Sequence, residues 1–71
     1  MSSTKDLLFA VVDEKKTRKD IAVVYAAALW QSAPVEWAAV NLAIKERWSM
    51  SGLKYIKELA WDLYEKAKDL S

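Results

Sequence analysis

The side chains in this chain that could do chemistry are carboxylates, amines, phenols and hydroxyls. Glu58, Asp62, Glu65 and Asp69 recur at spacings of three and four, so a helix would set them in one row. Such a row suggests an acid/base pair or a hard-cation site. Either would need groups converging from several directions, whereas one helical face diverges into solvent. The row therefore reads as a solubilising face. Histidine and cysteine are both absent. That removes His-based triads, proton shuttles, thiolate zinc sites and disulfides. No serine has an imidazole to activate it, and a single glycine, Gly52, cannot build a glycine-rich phosphate loop. No enzyme, cofactor or metal site is expected.

Binding chemistry is better supplied. Lys15, Lys16, Arg18 and Lys19 form the densest basic cluster, either a solvated connection or a contact for phosphate or another anion. Further on, Lys54, Tyr55, Lys57, Glu58 and Trp61 share the outward side of a final helix, with Arg47 at the turn before it. A tryptophan flanked by cations has the composition of an interface anchor. Lys57, one turn before Trp61, is placed for a cation–π contact along the helix. The competing role for Trp61 is a rim position covering core beside the first helix, because a small domain uses every large side chain it has.

These residues must be positioned by the stretch 21–30, Ile-Ala-Val-Val-Tyr-Ala-Ala-Ala-Leu-Trp, ten apolar residues with no charge. On a helix, Ile21, Val24, Tyr25 and Ala28 take one face while Val23, Ala26 and Trp30 lie roughly opposite, so at least two other elements should pack on it. Gln31, Ser32, Pro34 and Glu36 interrupt it well short of the roughly 20 apolar residues a membrane span requires. The expectation is an all-α fold, a three-helix bundle with helices over about 18–31, 34–47 and 50–69 and a short extra helix over about 4–14.

Local signals set these limits. Ser3 is a candidate N-cap for the first helix, whose Leu7, Leu8, Val11 and Val12 recur at helical spacing. Thr17 with Asp20 has the form of a capping box. Ser32 and Pro34 suit the start of the next helix, on which Trp37, Val40, Asn41, Ile44 and Trp48 share a stripe. Asn41 on that stripe should find a hydrogen-bond partner if buried. Ser49 or Ser51 is the expected cap of the final helix, with Leu53, Ile56, Ala60, Leu63, Ala67 and Leu70 facing inward.

Trp37 followed by Val40, Ile44 and Arg47, then a serine-containing turn and Ile56, resembles the second half of a Myb or SANT repeat. In that family a tryptophan is followed by aliphatics, an arginine and a core aromatic at the corresponding offsets, with Ile56 here in the aromatic's place. The resemblance implies a helix-turn-helix over roughly 17–63, with the helix from Ser51 presenting Lys54, Tyr55, Lys57, Glu58 and Trp61 to a partner. Lys45 and Arg47 would then touch phosphate, and a nuclear location would follow.

Charge weighs against nucleic acid. The net charge is +1, and from Met50 to Ser71 four lysines are matched by four acids, so counterion release would contribute little. The N-terminal residues lack the basic and long apolar regions of a signal peptide, which makes an intracellular protein the expectation. The expected function is a non-catalytic protein-interaction module on the outer face of the last helix and the turn before it. The alternatives are a Myb- or homeodomain-like DNA-binding domain, and a structural subunit that self-associates through Trp30, Trp61 or a Val35/Leu42 patch.

Overall fold

A computed structural model describes residues 4–70, which form three α-helices: α1 (Thr4–Asp13), α2 (Arg18–Gln31) and α3 (Trp37–Leu70). Ser3, the expected cap of α1, lies outside the described residues. Ser49 breaks α3 with φ 73° and ψ 177°, dividing it into two arms, 37–48 and 50–70. A straight helix of 34 residues would be about 51 Å long. The longest dimension of the molecule is 34 Å, so the bend is sharp. The two arms and α2 are the three members of the expected all-α bundle, with α1 as the short extra helix.

The start of α2 follows from two side chains. Thr17 Oγ1 accepts from the Asp20 N–H at 3.2 Å, and Asp20 Oδ2 accepts from the Thr17 N–H at 3.3 Å, which completes the capping box. Its end differs from expectation. Ser32 does not cap the following helix; it adopts a left-handed conformation (φ 51°) and closes α2. Its N–H donates to the Leu29 carbonyl while the Ala33 N–H reaches back to Ala28, the paired bonds of a Schellman motif. Residues 33–36 are then irregular, so the next helix begins at Trp37 and not at Pro34. Glu36 supplies the carbonyl for the first turn, to the Val40 N–H at 3.0 Å, and its carboxylate pairs with Lys5 of α1.

Lys15 is left-handed as well (φ 61°) and ends α1 in the same way. The Lys16 N–H donates to Val11 and the Lys15 N–H to Val12.

The core is formed by Leu8 and Val12 from α1, Ile21, Ala22, Tyr25, Ala26 and Ala28 from α2, and Val40, Ile44, Ile56 and Ala60 from α3. α2 packs on both other helices, as its apolar run requires. It still keeps one wet side, with Val23, Ala27 and Trp30 exposed. Leu7 is likewise exposed, so α1 buries Leu8 and Val12 alone. The inward stripe of the last arm stops at Leu63: Ala67 is exposed and Leu70 is 89% exposed, because the arm outruns the elements beneath it. Among the described residues no helix is long and apolar enough to cross a membrane.

Candidate functional site

The bend at Ser49 decides what the last arm presents. Its backbone angles lie in a region that is almost exclusive to glycine, at a cost of roughly 1–3 kcal/mol. The chain's one glycine stands three residues later, inside the second arm and fully packed. A methyl group at Gly52 would overlap Cβ of Trp48, with Trp48 Cγ only 3.4 Å away. Gly52 therefore lets the second arm close onto Trp48 directly after the turn. Ile56 and Ala60 then point into the core, and the opposite side of the arm faces out.

On that outer side Lys54, Lys57, Glu58 and Trp61 come together with Met50 and Leu53 around an open groove of about 660 Å³. Met50 and Leu53 were absent from the expected set; Leu53 packs against the core as its place in the inward stripe requires and also borders the groove. The signal for Met50 was the spacing 50, 54, 57, 61, a run of four-three-four steps; Leu53 lies off that run and had no such signal. Ser51 and Asp62 complete the rim.

Trp61 is 47% exposed. It makes an edge-to-face contact with Tyr64, centroids 5.3 Å apart and planes at 88°, and Tyr64 makes a second with Trp30 at 6.0 Å. The three rings form a surface row running from the end of α2 to the last arm. Two edge-on contacts hold these rings in place at low entropic cost. The cation–π contact expected from Lys57 to Trp61 is replaced by this ring packing.

The other expected residues lie elsewhere. Tyr55 sits under the Arg18 guanidinium, 4.8 Å from the ring centroid, so both tie the start of α2 to the last arm and neither lines the groove. Arg47 rests over Trp48 at 5.7 Å and borders a smaller recess of about 310 Å³ with Val12, Asp13, Ala43 and Glu46. The basic cluster is dispersed in role. Lys15 and Lys16 close α1, Lys16 pairs loosely with Glu14 at 3.9 Å, and Arg18 covers Tyr55. Lys19 and Lys45 are exposed. Among the described residues, no three acidic side chains converge as a metal site would require.

A second aromatic group lies inside. Trp37 packs on Tyr25 with centroids 4.6 Å apart, and the Tyr25 hydroxyl donates to Asn41 Oδ1 at 3.3 Å, the partner expected for Asn41. Burial pushes the Tyr25 phenol above its ordinary pKa. Val35 packs against the core, which reduces the expected Val35/Leu42 patch to Leu42 alone. No protein-family model, curated protein or solved structure matches the chain.

Proposed function

We propose that the chain is a non-catalytic protein-interaction module whose contact surface is the outer side of residues 50–62. The observation that carries this reading is Trp61, half exposed and held edge-on by Tyr64 at the border of an open groove shared with Met50, Leu53, Lys54 and Lys57. Large aromatic side chains that are rigid before binding lose little freedom on docking, which is why they dominate interface energetics. Lys54 and Lys57 bring apolar stems to the same groove and ammonium groups to its edge.

A second reading, a Myb-like DNA-binding domain, draws support from the tight turn at Ser49 between two arms that both enter the core. Glu58 and Asp62 on the same groove weigh against it, because a phosphate backbone would meet carboxylates there.

Trp61→Ala tests the first reading. It should cost about 1 kcal/mol in urea unfolding, the worth of one aromatic pair, while abolishing the protein crosslinks formed by a photoreactive residue at position 57. A stability loss of several kcal/mol would mean that the indole serves the fold, and the reading would fall. Duplex binding that weakens steeply with salt would favour DNA instead.

A further inference from the structure

The sign of the charge changes once along this surface. Residues 50–57 carry two lysines and no acid, whereas residues 58–65 carry three acids and no base. Within residues 50–65 this order is the reverse of what steadies a lone helix, where acids belong near the N-terminus and bases near the C-terminus; Lys66 and Lys68 restore bases only in the arm's last turns. Lys54 preceding Glu58 is also the poorer orientation for a pair four residues apart. Helix stability therefore does not account for the order of charge within residues 50–65. Among the described residues the groove beside it is lined by this arm alone, with no second wall from another element. Its Met50, Lys54, Lys57 and Trp61, with Tyr64 one turn beyond, follow the four-three spacing by which one helix seats another.

Resting on the interaction reading of this surface, we propose that the partner is a second copy of the chain, docked antiparallel about a two-fold axis between residues 57 and 58. Positions equidistant from such an axis face each other. Lys57 then meets Glu58 of the second copy, and Lys54 meets the face of its Trp61. Each contact occurs twice. Residues 50–57 of each copy lie along residues 58–65 of the other. Parallel docking would set lysine on lysine and acid on acid, so charge selects the antiparallel arrangement.

The test is sedimentation equilibrium at low salt, from micromolar to millimolar concentration, with circular dichroism to verify the fold of each variant. The wild-type chain is expected to dimerise, more weakly as salt is added. Lys57→Glu alone and Glu58→Lys alone should each weaken self-association by about a hundredfold, since each sets like charges together across the axis twice. Mixed in equal amounts, these two variants should form a heterodimer, because both symmetry-related contacts again join opposite signs. Lys57→Gln, which removes the charge without reversing it, should weaken the dimer by only about tenfold.

A wild-type chain that stays monomeric throughout overturns the proposal, as does a mixture that sediments no differently from its components. If the monomer still gives Trp61-dependent crosslinks to another protein, self-association fails while the interaction reading survives. A several-kcal/mol stability loss in Trp61→Ala removes both.

Discussion

Two aromatic groups occupy this small bundle, built from the same residue types and used in opposite ways. Tyr25 and Trp37 are pressed together between α2 and the first arm of α3, with Tyr25 only 4% exposed and its hydroxyl engaged by Asn41. Trp30, Tyr64 and Trp61 form an edge-to-face row at the surface, with Trp30 and Trp61 44% and 47% exposed. The inner rings are closer and tilted (4.6 Å, 37°) and the outer contacts longer and edge-on, but the larger difference is what surrounds the rings. The inner pair is enclosed by core aliphatics, while the outer row borders lysines and carboxylates. A domain near the lower size limit for a single core that leaves two indoles half uncovered is forgoing burial it could use. That surplus is the physical reason behind the proposal that the outer row serves binding.

The contrast breaks most visibly if the inner group is truncated. Tyr25→Ala removes a buried ring and opens a cavity between α2 and α3, which should cost about 3–5 kcal/mol. That is comparable to the whole stability of a domain this size, at roughly 0.05–0.15 kcal/mol per residue. Urea unfolding followed by circular dichroism should show a chain largely unfolded at room temperature, against the small change expected for Trp61→Ala. Equal effects at the two sites would erase the distinction between them.

Gly52→Ala probes the joint that gives the last arm an inner and an outer side. The added methyl meets Cβ of Trp48, which is anchored to backbone and cannot swing aside. A cost of about 1–3 kcal/mol is expected, the range for overpacking, although alanine is the better helix former. Stabilisation on Gly52→Ala would show that the second arm does not close onto Trp48.

Much of this arrangement was legible beforehand where one residue type has one physical use. Thr17 and Asp20 at capping-box spacing put the start of α2 at Arg18, and the uncharged run after it pointed to a central helix contacted by at least two other elements. Val40, Ile44, Ile56 and Ala60 reached the core as their spacing indicated. The connections were harder because serine has several uses. Ser32 could cap a following helix or end the preceding one, and its left-handed closure of α2 rests on carbonyl bonds without side-chain signature. Ser49 takes a conformation suited to glycine although a glycine stands nearby. The turn falls at one of the two serines expected to begin the last helix, but residue type alone did not choose between Ser49 and Ser51.

At the surface, Lys54, Lys57, Glu58 and Trp61 were found as a group because helical periodicity places them together. Tyr55 and Arg47 belong to the same stretch of chain but not to the groove. Their positions depend on Arg18 and Trp48, contacts that only the packed structure brings together.

The smallest expected effect sharpens the inner half of the comparison through pH. Burial raises the Tyr25 phenol above its ordinary 10.0 because the phenolate would lose its hydration in the core. Below that pH both folded and unfolded chains hold the proton, and stability does not depend on this group. As pH rises beyond about 10, the unfolded chain releases the proton first, so the contribution of Tyr25 declines until the folded state titrates in turn. Lysines also titrate there, so the measurement is a difference between the wild-type chain and Tyr25→Phe in urea unfolding from pH 8 to 11. At pH 8 the variant should be about 0.5–1.5 kcal/mol less stable, for the lost bond to Asn41, toward the low end given its 3.3 Å length. That deficit should shrink above pH 10 and reverse sign if ionisation outweighs the bond. A deficit constant across the range would mean that Tyr25 is as well hydrated as a surface phenol, and the inner pair would lose its claim to be core.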